Sequence, residues 1–225
     1  MSFAAALDGP RFGPARGGRP KQLVVLLHGW GADGNDLIGL APALAPVLPE
    51  AEFLAPDGPF ECDAGFGRQW FSLGDRSPEG DMADPVMAAR LAAVAPMIDS
   101  FIDEALAVRG LGADKLALVG FSQGTMAALY VGLRRAQGPA GILGYSGHLV
   151  AGAAQAQAAR AKPEILLVHG EMDDILPVAA TRYAEQTLKK HGFKVGAVYR
   201  PGLGHGIDEE GLRHGAAFLK RVLGA

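Results

Sequence analysis

Ser122 lies in the pentapeptide GFSQG, with a glycine two residues away on either side. Such a serine is typical of a nucleophile elbow, where the hydroxyl stands on a sharp turn between a strand and a helix. The chain has 32 glycines in 225 residues, so the pentapeptide alone is weak evidence. A structural turn serine would give the same pattern, and the surrounding sequence has to decide between the two interpretations.

A nucleophilic serine needs a base, and the base needs an orienting acid. His205 lies in a glycine-rich loop between the last predicted strand and the last predicted helix. Asp173 and Asp174 follow an earlier strand, so the order serine, aspartate, histidine matches a triad built on strand ends. Either aspartate is placed to serve as the acid while the other caps the next helix, and the pattern does not choose between them.

The other five histidines have different predicted roles. His28 and His169 each precede a glycine at the end of a predicted strand, and we expect their rings to support the strand-end loops by hydrogen bonds. His148 follows the GYSG segment, and His191 and His214 are expected to be solvated.

A developing oxyanion needs hydrogen-bond donors. The glycine-rich segment HGWGADGND (28–36) follows the first long apolar run and is expected to aim the backbone N–H of Trp30 inward. The second expected donor is the N–H of Gln123, the residue after the serine. The alternative is an ordinary glycine-rich loop.

The elements that must position these residues follow an alternating order. Continuous apolar runs predict strands at 22–29, 51–56, 115–120, 140–147, 164–170 and 194–200. Helix-like segments are predicted at 36–45, from Asp84-Pro85 towards Gly110, and at 124–137, 178–190 and 208–223. Strand–helix alternation indicates an α/β fold with a mainly parallel sheet, in which sites form at the carboxyl ends of the strands.

Residues 59–84 show neither a helix nor a strand period, and a loop of this length is uncommon unless it is functional. Two interpretations of its aromatic residues stand equal: they wall an acyl pocket, or they anchor the loop to the core. These residues are Phe60, Phe66, Trp70 and Phe71.

The chain as a whole suits one globular domain spanning 1–225, with residues 1–21 as an N-terminal hairpin or arm. The formal net charge is −3 and there is no basic run, which argues against a nucleic-acid partner. The sequence shows neither a signal peptide nor an apolar run of membrane-spanning length, so stable membrane insertion is not expected. Cys62 is the single cysteine, which fits a cytoplasmic protein and excludes a multi-cysteine metal site.

Five segments in collinear order resemble the carboxylesterase/phospholipase family that includes the acyl-protein thioesterases, from about residue 22 to the C-terminus. They are LLHGWGADGNDL, RQWFSL, GFSQGTMAAL, LVHGEMDDILP and PGLGHGI. The resemblance implies an α/β-hydrolase fold, with helices on both faces of the sheet and no large cap domain. It also implies a serine carboxylesterase that needs no cofactor or metal and acts on a small-molecule or lipid ester.

The resemblance assigns residues as well. It implies Ser122 as nucleophile, His205 as base and Asp173 as acid, since the family pattern HG-D-x-D-P-x-V-P places its catalytic aspartate there. It implies Trp30 and Gln123 as oxyanion donors, and it places the pair Trp70 and Phe71 near the substrate cleft.

The chain departs from the family pattern at three positions. Glu171 stands where the family usually has aspartate, Asp174 stands where it has proline, and Trp30 replaces an aliphatic residue, which would reshape the acyl site. A lysophospholipase or acyl-protein thioesterase is the alternative function, and a peptidase or a non-catalytic binding module ranks lower. A homodimer is left open.

Overall fold

The computed structural model describes residues 6–74 and 85–225 and has a seven-stranded sheet at its centre. The sheet strands are β1 (Arg11–Phe12), β2 (Gln22–Leu27), β3 (Ala51–Leu54), β6 (Leu116–Phe121), β7 (Gly141–Tyr145), β8 (Glu164–Gly170) and β9 (Val195–Arg200), in the order β1-β3-β2-β6-β7-β8-β9. All neighbouring strands pair in parallel except β1, which runs antiparallel to β3 at the edge. Strands β4 (Phe60–Glu61) and β5 (Arg68–Gln69) form a separate antiparallel pair.

Helices cover both faces of this sheet. They are α1 (Gly34–Ile38), α2 (Ala41–Leu44), α3 (Pro85–Arg109), α4 (Gln123–Arg134), α5 (Gly152–Gln157), α6 (Val178–Lys190) and α7 (Glu209–Leu223). Alternate residues of β2 point to opposite faces, as the pleat of a strand requires. Leu23 and Val25 belong to the core that includes residues of α3, α4 and α6, whereas Val24 and Leu26 belong to the core that includes α1, α2 and α7. Burial on both faces explains why this strand reads as a continuous apolar run.

The predicted α/β architecture is confirmed, and each of the six apolar runs forms a strand whose ends lie within about two residues of the predicted ones. The helix predicted at 36–45 is wrong as a single element, because α1 and α2 are two short helices separated at Gly39 and Leu40. Helix α5 was not predicted, since its six residues are too few to show a helical period. Asp84, the predicted start of the long helix, lies outside the described residues.

The segment 59–84 needs a correction, because β4 and β5 pair within it. Two-residue strands are too short to produce an alternating pattern in the sequence. Trp70 and Phe71 are 0% and 2% exposed and lie in the core, whereas Phe60 and Phe66 are exposed. Residues 75–84 lie outside the described part of the chain.

The described part of the predicted N-terminal arm is held to the sheet by the pairing of Arg11 with Leu54 and Phe12 with Phe53. Within residues 6–74 and 85–225, no helix is both long enough and apolar enough to cross a membrane.

Candidate active site

Ser122 occupies a strained turn between β6 and α4, with φ 52° and ψ −115°. A non-glycine residue in a sparsely populated region costs on the order of 1–3 kcal/mol, and such strain clusters at functional sites. The neighbouring glycines make the turn possible. A Cβ on Gly124 would lie 1.8 Å from the carbonyl oxygen of Leu27, and one on Gly120 would lie 2.4 Å from the backbone of Gly124. The close approach of α4 to β2 and β6 therefore requires both glycines.

The side chain of Gln123 connects the turn to the segment that follows β5. Its Oε1 accepts from the backbone N–H of Trp70 at 2.8 Å, and its Nε2 donates to the carbonyl of Phe71 at 2.7 Å. The side chain is 1% exposed. Its amide makes both a donor and an acceptor bond to the backbone of this segment, as a neighbouring strand would. The segment carrying Trp70 and Phe71 is thereby fixed beside Ser122.

His205 and Asp173 are brought together from two different loops. Asp173 follows β8, His205 follows β9, and His205 Nδ1 lies 2.7 Å from Asp173 Oδ2. The ring of His205 packs on the ring of Phe121, with centroids 4.9 Å apart. Because Phe121 directly precedes Ser122, this contact places the histidine next to the turn. The described residues show no hydrogen bond from the Ser122 hydroxyl to His205, and such bonds are often long in enzymes without substrate.

Asp173 is a buried carboxylate with several donors. Its Oδ1 accepts from the backbone N–H groups of Ile175 and Leu176 at 3.0 and 2.8 Å. Desolvation is the largest influence and favours the neutral acid, but the hydrogen bonds from Leu176, His205 and Ile175 outweigh it and lower the pKa of Asp173. The group is therefore held as an anion, as an acid that orients an imidazole must be.

Asp174 differs from its neighbour. It is exposed, and it does not cap α6, which begins after Pro177 without a side-chain cap. The expectation that the second aspartate caps the helix is therefore wrong, because Pro177 rather than an aspartate occupies the capping position.

The loop after β2 lies against the turn. A Cβ on Gly29 would lie 3.1 Å from the Phe121 ring and 3.6 Å from Ser122 Cβ. The ring of His28 is fixed from both sides: Nδ1 donates to the carbonyl of Gly29 at 2.7 Å, and Nε2 accepts from the N–H of Gly58 at 2.8 Å. Burial lowers the pKa of His28, which agrees with a neutral ring in this arrangement. The predicted supporting role of His28 is confirmed.

The Gly29 carbonyl belongs to the same peptide group as the Trp30 N–H. A trans peptide is planar, so its N–H points opposite to its C=O. Fixing the Gly29 oxygen therefore fixes the direction of the Trp30 N–H, which has no acceptor among the described residues. The N–H of Gln123, at the first turn of α4, also has no acceptor within residues 6–74 and 85–225.

The two tryptophans of the site have different exposure. Trp30 is 36% exposed, and its indole N–H donates to Gln69 Oε1 at 2.8 Å. Trp70 is fully buried, and its indole N–H donates to the carbonyl of His28 at 2.9 Å. The burial of Trp70 and Phe71 favours the interpretation that they anchor the segment, and Trp30 remains at the surface of the site.

Ser146 is a feature that the sequence did not reveal. It follows β7, between the strands that lead to Ser122 and Asp173, and it has φ 45°. The residue is fully buried, and its hydroxyl has no hydrogen-bond partner among the described residues. The only signal in the sequence was a serine before a glycine at a strand end, which is common in turns.

Comparisons with known proteins agree with this geometry. Residues 15–223 match the family described as Phospholipase/Carboxylesterase. The esterase YpfH of Escherichia coli is 27% identical over 90% of this chain and 84% of its own length. Acyl-protein thioesterase 1 of Neurospora crassa is 28% identical over 84% of this chain and 82% of its own length. The crystal structure of esterase PE8 superposes with a TM-score of 0.88 at 38% identity, covering 97% of this chain and 100% of that chain.

Proposed function

The chain belongs to the phospholipase/carboxylesterase family of α/β-hydrolases and is a serine esterase, and we propose that Ser122, His205 and Asp173 form its catalytic triad. The observation that carries the proposal is the 2.7 Å contact of His205 Nδ1 with Asp173 Oδ2, at the same edge of the sheet as the strained Ser122. This contact leaves Nε2 as the ring nitrogen available to the serine.

The proposed mechanism is acyl transfer in two steps. His205 takes the proton of the Ser122 hydroxyl while its oxygen attacks the ester carbonyl, and Asp173 stabilises the imidazolium that forms. The imidazolium then protonates the leaving alcohol, and an acyl-serine remains. A water molecule, deprotonated by His205, then attacks this ester. The carboxylic acid is released, and the serine regains its proton from His205.

The N–H groups of Trp30 and Gln123 are the proposed oxyanion donors. Support comes from their lack of acceptors among the described residues and from the packing of Gly29 against Ser122. Donors held rigidly before the reaction stabilise the developing charge without reorganisation, and each contributes about 3 kcal/mol in comparable sites.

The direct test is Ser122→Ala assayed with p-nitrophenyl acetate, together with labelling by a fluorophosphonate. We expect loss of at least about 10³-fold in kcat and no labelling, because both require an activated serine. Ser100→Ala, on the exposed surface of α3, is the matched control and is expected to behave as the wild type. Residual turnover above 10% of wild type in Ser122→Ala would overturn the assignment of the nucleophile.

The substrate is a small-molecule or lipid ester, and a simple carboxylic ester is the proposed preference. Acyl-protein thioesterase or lysophospholipase activity is the second candidate, favoured by the likeness to the acyl-protein thioesterase of Neurospora crassa. A nitrophenyl ester series of increasing acyl length separates the candidates. A maximum at short chains supports the simple carboxylesterase, whereas a maximum at long chains supports the second candidate.

Further proposals concern the surroundings of the site. With Trp70 and Phe71 buried, their proposed contribution to the cleft is to anchor from the core the segment that lies beside Ser122. A homodimer is the proposed assembly, and light scattering tests it. A cytoplasmic location is proposed because Cys62 is free, so that the fold needs no disulfide.

A further inference from the structure

Asp173 is contacted by a second histidine. His169 lies four residues before it, and His169 Nε2 is 3.0 Å from Asp173 Oδ2, the same oxygen that His205 Nδ1 contacts at 2.7 Å. The side chains of His169 and Asp173 are both 0% exposed. The two rings therefore contact one buried carboxylate oxygen.

The partners of His169 decide which nitrogen carries the proton. Nε2 faces two acceptors, the carboxylate of Asp173 and the carbonyl of Leu176 at 2.8 Å, so it must be protonated. Nδ1 lies 2.7 Å from the hydroxyl of Thr181, which in turn lies 2.8 Å from the carbonyl of Gly147. The Thr181 hydroxyl has one proton for these two acceptors; in a neutral ring protonated on Nε2 it goes to Nδ1, and the carbonyl of Gly147 then receives no proton from Thr181.

We infer that His169 is a positioning residue for the catalytic acid, and that its Nε2–H, which donates to the carbonyl of Leu176 at 2.8 Å, is shared with Asp173 Oδ2 at 3.0 Å. The inference rests on the proposed triad. Burial is the largest influence on His169 and lowers its pKa, which agrees with a neutral donor ring. The titratable groups that act on the ring are Asp173 and His205.

Two effects on catalysis follow from this arrangement. The second donor holds the Asp173 carboxylate in one orientation, so the His205 ring is presented to Ser122 in one pose. The same donor also takes up part of the negative charge on Oδ2, which weakens the pull of the carboxylate on the His205 imidazolium.

The test compares His169→Leu with His169→Gln, whose amide nitrogen reaches about the position of Nε2 and keeps the donor. We expect His169→Leu to lose roughly tenfold in kcat, the scale of one hydrogen bond to a charged group. We also expect the acid limb of its kcat/KM profile to move up by about 0.5 pH unit or more, because the Asp173 carboxylate without its second donor attracts the proton of the base more strongly. His169→Gln should restore most of the rate and the wild-type profile.

A matched control and a spectroscopic readout complete the experiment. His214→Leu, at a side chain 44% exposed on α7, is expected to leave rate and profile unchanged. The downfield proton resonance of His205 Nδ1–H should move further downfield in His169→Leu and return in His169→Gln, because the shared oxygen then binds His205 more strongly.

A wild-type pH profile in His169→Leu would overturn the inference. This holds if kcat is unchanged, and it also holds if kcat falls only in proportion to the fraction of protein that is folded. If His169→Leu does not fold, His169→Met replaces it, since its side chain also lacks a donor and is closer in length to that of histidine. An unchanged profile there would equally overturn the inference. The Ser122→Ala variant tests the proposed triad independently of His169. It is still inactive if only the proposed role of His169 is wrong.

Discussion

Asp173 and Asp174 are adjacent and chemically identical, yet only one has an environment suited to an orienting acid. Asp173 is buried, accepts two backbone N–H groups and contacts His205, whereas Asp174 is exposed. The side chains of neighbouring residues outside a helix point in different directions, so one position faces the core and the next faces the solvent.

Asparagine at these two positions therefore has unequal effects. Asp173→Asn presents an amide to His205 Nδ1 and favours the tautomer whose Nε2 carries a proton and cannot accept one from Ser122. We expect a loss of about 10⁴-fold in kcat, the size of this change in other serine triads. Asp174→Asn is the matched control and should stay within about twofold. Comparable losses in the two variants, measured as kcat on a nitrophenyl ester, would contradict the assignment of the acid.

The sequence identified most of the candidate residues because strand order puts them at one edge of the sheet. The apolar run before Ser122, the strand before Asp173 and the loop before the last helix each place a residue at a strand end. The contact of His169 with Asp173 could not be predicted, because its geometry depends on how the chain turns between β8 and α6. The strain at Ser146 is likewise set by tertiary packing, and a serine before a glycine at a strand end is too common in turns to predict it.

At the scale of elements, the site depends on how closely α4 packs on the sheet. The nearest neighbour of Gly124 is backbone, the carbonyl of Leu27, so a side chain there has no flexible group to displace. The pattern of glycines around the serine predicted this turn correctly, because only the absence of Cβ allows a helix to start so near a strand. The short pair β4–β5 was missed because it is held by neighbouring loops, such as the bond from Gly31 N–H to the Arg68 carbonyl.

Gly124→Ala tests this packing requirement. A Cβ 1.8 Å from the Leu27 carbonyl oxygen forces α4 away from β2. We expect a loss of about 3 kcal/mol or more in the free energy of unfolding, at the upper end of overpacking costs, and loss of activity. Gly206→Ala is the matched control, because a Cβ there meets nothing within 4 Å, and it should change stability by less than about 0.5 kcal/mol. Equal free energies of unfolding in urea for the two variants would refute the argument.

At the scale of the whole molecule, the buried histidines connect the site to the stability of the fold. His28 and His169 are 0% and 1% exposed, and burial lowers the pKa of both from 6.5. Above that pH the rings are neutral in the folded and the unfolded chain, and they make no contribution to the pH dependence. As the pH falls below it, the unfolded chain binds protons that the folded chain does not, so the unfolded state is stabilised and the free energy of unfolding decreases.

The carboxylate of Asp173 acts at a lower pH. Its pKa is lowered in the folded state, so the stability it contributes is present above the unfolded pKa of about 3.9 and is lost as the pH falls through the folded pKa. As the solution is acidified, the histidines therefore destabilise the fold first, and this aspartate destabilises it at a lower pH.

We predict that the free energy of unfolding begins to fall as the pH drops below about 6.5, and that the fall becomes steeper as the histidines of the unfolded chain bind protons. Each ring contributes at most about 1.4 kcal/mol per pH unit, so the two together give a slope of up to about 2.7 kcal/mol per unit. Urea unfolding at closely spaced pH values measures the slope. His28→Gln keeps an acceptor for the Gly58 N–H but cannot titrate, so it should lose about half of the slope whatever its absolute stability. A wild-type curve that stays flat as the pH drops, or the same slope in the variant, would show that the buried rings do not couple protonation to folding.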